Sequence, residues 1–219
     1  MRLRELSERR LLDEVQRFRT WAASRLQEGV WECDYEAWPE LRQAVVSFLD
    51  AVAPEEWGPE TTAALLYAIA REYDFGSLAY EVKTRPRHLR AAVQAAVNST
   101  EADAKWQLAR ALADVDAAAA HPILETLAYD SDEYVSRRAL LDLGRMGSPL
   151  VEQLADKAWA TGHEYQRISA LQALHDIDSP RLDDFLALAE QDGRQYLCLN
   201  ARRIRQARGV LPSGPASSD

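Results

Sequence analysis

The feature that most constrains this chain is a repeat. Tyr134 is followed five residues later by Ala139, Tyr165 by Ala170 and Tyr196 by Ala201, and the three copies are spaced by 31 residues. Trp106 and Ala111 form an upstream copy with the same gap, offset from Tyr134 by 28 residues. Between these copies runs a second pattern: Pro122 with Leu124, Leu127 and Ala128, then Pro149 with Val151, Leu154 and Ala155, then Pro180 with Leu182, Phe185 and Leu186. Two apolar helical patterns in a period near 30 residues describe a helix pair that cannot bury its apolar stripe alone, so copies must stack.

The local chemistry agrees. Ser148 and Ser179 are placed to cap helices that open on Pro149 and Pro180, where proline's missing N–H costs nothing. Pro122 marks a third such start. The triplets Asp130-Ser-Asp, Thr161-Gly-His and Asp192-Gly-Arg supply short polar turns between paired helices. The recurring alanine suits a close helix–helix approach. Pro122-x-Leu124, the segment from Asp132 to Ala139, and Leu143-Gly144 together resemble a HEAT repeat over about the last half of the chain. The resemblance implies an all-α fold, an α-solenoid of stacked antiparallel helix pairs. On that reading residues 1–83 are an N-terminal helical cap with irregular pairs, 84–208 are HEAT-like repeats and 209–219 are a disordered tail, in one continuous solenoid. HEAT repeats serve scaffolds, inhibitors, adaptors and a few enzymes, so fold alone does not name a function.

Helix-rich composition supports the same class. Apolar residues make up 47% and charged residues 28% of the 219 positions, with nine glycines and nine prolines concentrated at element boundaries. Two cysteines, Cys33 and Cys198, are too few for a disulfide framework or a zinc site. The N-terminus lacks a signal-peptide core and no apolar run reaches membrane-spanning length, so the expected location is the cytoplasm. A net charge of −9 argues against bulk affinity for nucleic acid.

Residues 2 to about 28 read as one amphipathic helix with Leu3, Leu6, Leu11, Val15, Phe18, Ala22 and Leu26 on its apolar face, suited to cover the end of a stack. The stretch from Gly29 to Pro39 packs Trp31, Tyr35 and Trp38 among carboxylates in a short connection. Such aromatics anchor a loop against the core or, if exposed, form a recognition surface. Residues 39–53 and a helix opening on Pro59 follow.

Catalytic signals are weak. There is no phosphate-binding glycine loop, nucleophile elbow or paired Cys/His signature. His163-Glu164 resembles one of the His-Glu pairs of helical-repeat di-iron hydroxylases, whose chemistry needs several such pairs. His175 with Asp176 and Asp178 stands at a helix end, where turn-forming aspartates are expected without a metal. No cofactor and no metal are expected, and nothing in the sequence supports an enzyme.

The second helices carry the more informative residues. Arg110, Arg138, Gln172 and Arg203 occupy positions that would face a groove, and with Trp31, Tyr35 and Trp38 they are the candidate protein-binding residues. Arginines here also suit a structural ladder, with Arg137 or Arg138 bonding turn aspartates such as Asp132. The preferred reading is a non-enzymatic protein-binding module, an adaptor or inhibitor whose acidic surface suits a basic protein partner. The chain resembles small acidic bacterial HEAT-like immunity proteins in this respect. The alternative is an enzyme on nucleic acid, since HEAT-like repeats also build alkylpurine DNA glycosylases. Trp106, Trp159, Arg138 and Asp142 or Asp114 would then be its working residues, but the net charge has the wrong sign. If the repeat register is right, Ala139→Leu and Ala170→Leu should each overpack a helix interface and lower stability by about 1–3 kcal/mol in chemical denaturation. Tolerance of both would show the register to be wrong.

Overall fold

The computed structural model describes residues 2–25, 28, 31–72 and 76–209. Among these the chain is all-helical, with no strand. Twelve α-helices run α1 (Arg2–Ala23), α2 (Trp38–Ala51), α3 (Pro59–Arg71), α4 (Ser77–Lys83), α5 (Pro86–Val97), α6 (Ala102–Val115), α7 (Ala117–Leu127), α8 (Glu133–Arg145), α9 (Val151–Ala160), α10 (Glu164–Asp176), α11 (Leu182–Asp192) and α12 (Gln195–Ala207). No helix among the described residues is long and apolar enough to cross a membrane. The chain forms two compact units, Met1–Ile123 and Leu124–Asp219, so the division falls inside the stretch expected to hold repeats. Leu26 and the tail beyond Gly209, both given roles by the sequence reading, lie outside the described residues.

In the N-terminal unit, α1 packs on α2 and α3, while α6 packs on α3, α4 and α5. The buried side of α1 runs through Leu11, Val15, Phe18 and Ala22 at helical spacing. Leu3 and Leu6, expected on that face, are instead exposed. Pro59 opens α3 as its first residue, where a proline fits. The connection into α4 is held by the buried Glu72, whose carboxylate accepts hydrogen bonds from Arg42, the Ser77 hydroxyl and the Leu78 N–H, the last at 2.5 Å. Three donors offset the cost of burying that charge. Gln107 Nε2 on α6 donates to the Ile69 carbonyl at 3.2 Å, pairing two further buried groups.

The C-terminal unit repeats closely. Helix α10 packs against α8, α9, α11 and α12. Starts of α8, α10 and α12 fall 31 residues apart, as do those of α9 and α11. Each turn triplet works in one way: a side-chain oxygen of Asp130, Thr161 or Asp192 accepts the N–H of the residue two places on, at 2.8, 3.1 and 3.4 Å. The repeat alanines Ala139, Ala170 and Ala201 are buried. Helices α8 and α10 end alike, the Ser148 and Ser179 N–H groups reaching back to the Leu143 and Leu174 carbonyls at 3.0 and 2.9 Å. The left-handed residue this ending needs is Gly147 after α8, but Asp178, at φ 49°, after α10.

Two expectations need correction. The Ser148 and Ser179 hydroxyls accept the N–H of Leu150 and Arg181 at 3.3 and 3.2 Å, but these bonds close the turn. Leu150 and Arg181 themselves precede α9 and α11, and no side chain among the described residues caps either helix start. Pro149 and Pro180 likewise lie in the turn, and α9 and α11 begin two residues after them. Pro122 opens no helix: Asp116 caps α7 through the Ala119 N–H at 3.1 Å, which starts the helix at Ala117 and puts Pro122 in its second turn. The alanine run Ala117–Ala120 has the helix propensity to extend the helix ahead of the proline.

A Cβ built on Gly144 of α8 would stand 2.9 Å from Ala173 Cα of α10, so backbone would have to move. Gly144→Ala should therefore cost about 1–3 kcal/mol. Asp178→Gly should instead gain about 0.5–1 kcal/mol by relieving a left-handed non-glycine residue. Thermal melts of the two variants should move in opposite directions.

Candidate protein-binding surface

The shared helix starts bring one residue type to one edge. Tyr134, Tyr165 and Tyr196 are the second residues of α8, α10 and α12. Side chains tie these helix starts to one another. Gln166 Nε2 on α10 donates to the Glu133 carbonyl and the Ser136 hydroxyl of α8, both at 3.1 Å. Glu164 Oε1 on α10 accepts the Leu197 N–H of α12 at 3.1 Å, satisfying one of the donors that a helix start leaves open. The N-terminal ends of the three helices are thus neighbours. Their tyrosines form a row.

The row is exposed. Tyr165 is 47% and Tyr196 52% accessible, while Tyr134 is half-buried. The Arg137 guanidinium lies 4.5 Å from the Tyr134 ring centroid and 5.3 Å from that of Tyr165. It also pairs with Glu133 at 3.1 Å, and Glu133 in turn meets His163 Nδ1 at 3.4 Å. Cation–π contact on two rings plus an ion pair holds the arginine and both phenols in one arrangement. In α12 the position equivalent to Arg137 is Leu199, 40% exposed, so the row ends in an apolar patch beside Tyr196.

The residues singled out from sequence do not converge. Arg138 is half-buried with its guanidinium 5.7 Å from the Tyr134 centroid, at the edge of the row. Gln172 donates to Asp176 Oδ1 at 2.7 Å, and Arg203 is exposed on α12. Arg110 belongs to the N-terminal unit, where it pairs with Asp114 at 3.3 Å. Trp31, Tyr35 and Trp38 sit in an aromatic cluster of that same unit with Phe18 and Trp21. Tyr35 and Trp38 are only 5% and 7% accessible, and Trp38 Nε1 donates to the Glu32 carbonyl at 2.8 Å. These two anchor the connection; they offer a partner almost no surface.

Neither a protein-family model, nor a curated protein, nor a solved structure matches this chain. In the sequence the tyrosines mark the repeat register, and an aromatic kept at one register of each second helix is also the signal for the row.

An arginine–aspartate ladder is also present, and it includes residues not singled out in the sequence. Asp132 does not bond an arginine of this ladder but caps α8, accepting the Tyr134 and Val135 N–H groups at 2.9 and 3.0 Å. It is Asp192, at the end of α11, that joins repeats. Arg194 Nε and Nη2 donate to it at 2.6 and 2.8 Å, and Arg167 of α10 donates as well. Arg194 further reaches the Gly162 carbonyl at 2.9 Å, and Arg167 the Trp159 carbonyl at 3.0 Å. Hydrogen bonds from Arg194, and then from Arg167, hold the Asp192 carboxyl well below the usual carboxylate range. Among the described residues, no group of three His, Cys, Asp or Glu side chains is placed to hold a metal ion.

A depressed carboxylate stabilises the fold above its unfolded pKa, near 3.9, and that contribution fades as pH falls below this value towards the folded one. Asp192→Asn should therefore lower stability at pH 7 by about 1–3 kcal/mol. It should also flatten the loss of stability between about pH 4 and pH 2 in acid titrations followed by circular dichroism.

Proposed function

We propose that this protein is a non-enzymatic protein-binding module, an adaptor or inhibitor that grips its partner with the tyrosine row of α8, α10 and α12. The observation that carries this reading is the exposure of Tyr165 and Tyr196, with Arg137 fixed between the Tyr134 and Tyr165 rings. Tyrosine and arginine dominate binding hot spots because each brings a large contact area and a hydrogen-bonding tip. Rings already ordered by a neighbouring cation lose little conformational freedom when a partner arrives. In this reading the helix pairs of the C-terminal unit are a short HEAT-like solenoid, and the tied second-helix starts are its binding edge. Helix α1 serves as a cap within the N-terminal unit. The net charge of −9 favours a basic partner and speeds its approach at low ionic strength.

Affinity capture with the tagged full chain from its host's lysate, with and without nuclease, tests the class. A stoichiometric protein that survives nuclease treatment is expected. Against that partner, Tyr165→Ala and Tyr196→Ala should each weaken binding by about 2 kcal/mol, roughly 30-fold, with melting little changed: neither ring is buried, and Tyr165 gives up only its contacts with Arg137 and His163. Unchanged affinity in both variants, or capture of nucleic acid alone, would overturn the proposal.

A further inference from the structure

A second feature, in the N-terminal unit, does not depend on the tyrosine row. A cleft of about 330 Å³ opens between the end of α1 and the connection to α2. Arg17 and Trp21, from the last turns of α1, and Arg25, just past its end, line one side; Asp34, Tyr35, Glu36 and Ala37 line the other. Its charges are sorted by wall, cationic on the helix and anionic on the connection. They do not neutralise each other. Among the described residues, Arg17 meets only Glu14 of its own helix, at 3.6 Å. Among the described residues, Arg25 makes a cation–π contact with Trp21 at 5.2 Å and no ion pair. Asp34 and Glu36, among the described residues, make no ion pair either. Between the walls lies Tyr35, a nearly buried residue whose hydroxyl has no hydrogen-bond partner. Buried hydroxyls without partners are uncommon in folded proteins and call for an explanation. Burial pushes this phenol's pKa up, with Arg17 opposing and Glu14 and Glu40 assisting, so it is a neutral donor at pH 7.

A simple anion in this cleft would face Asp34 and Glu36, and a simple cation would face the two arginines. A molecule carrying both charges meets complementary groups on each side. We propose that the cleft binds a zwitterion of amino-acid size, its carboxylate towards Arg17 and Arg25 and its ammonium towards Asp34 and Glu36. Arginine suits the carboxylate because its fork matches the two oxygens. Trp21 and Ala37 are the apolar members of the lining, and the volume lies at the lower end of small-molecule pockets.

The test uses the full chain and the free proteinogenic L-amino acids as probes, each at about 10 mM, read by thermal shift and by tryptophan fluorescence from Trp21 and Trp31. At least one should raise the melting temperature with a saturable fluorescence change. Its amide, which lacks the carboxylate, and its N-acetyl form, which lacks the ammonium, should each bind at least about tenfold more weakly. Arg25→Gln and Asp34→Asn, both at exposed positions, should melt like the parent chain and lose a similar factor in affinity. Tyr35→Phe should keep or raise the melting temperature, having removed an unsatisfied hydroxyl, and still weaken the probe. Absence of binding by every free amino acid would overturn the proposal. So would equal binding of the capped forms, or unchanged affinity in both Arg25→Gln and Asp34→Asn.

Discussion

The close approach of α8 and α10 is the contact on which the C-terminal unit depends. Gly144 lies against Ala173 with no room for a methyl group, and Ala139 and Ala170 are buried on the same two helices. Small side chains here bring the helices near enough for their starts to exchange hydrogen bonds. Gln166 can then reach Glu133 and Ser136, and one repeat further Glu164 can reach the Leu197 N–H. Those bonds align the helix starts, and the alignment places the tyrosines in a row. A surface feature thus rests on a packing feature several residues away from it.

The N-terminal unit solves burial differently. Its centre is aromatic, with Phe18 meeting Tyr35 edge-on at 4.8 Å and Trp21 stacked on Trp31 at 5.7 Å. Large rings of fixed shape fill the space around a connection that has no repeat to guide it. The same unit buries a charge, Glu72, under three donors. Removing one partner from such a group costs more than the bond itself contributes, because the carboxylate stays buried. The same aromatic cluster positions Trp21 and Tyr35, the two rings that line the cleft at the end of α1.

Arginines in this chain have several fates, which residue type alone does not separate. Arg167 and Arg194 converge on Asp192 and join one repeat to the next. Arg137 is ordered between two rings and a carboxylate. Arg110 pairs along its own helix, and Arg203 is exposed. A carboxylate at the right turn makes an arginine structural; an aromatic one repeat away makes it part of a surface.

The all-α class, the 31-residue period, the turn triplets and the buried alanines were legible in the amino-acid order, because each is a local pattern repeated at fixed spacing. So was the helix opened by Pro59. Pro122 lies inside a helix for a local reason as well, because an aspartate cap and an alanine run extend the helix ahead of the proline. Tertiary structure alone decided the rest. Tyr35 and Trp38 are buried and Tyr165 and Tyr196 exposed, although all four are aromatics near charged residues in the sequence. What separates them is which neighbours pack over each ring, a property of contacts between distant segments that no local spacing encodes.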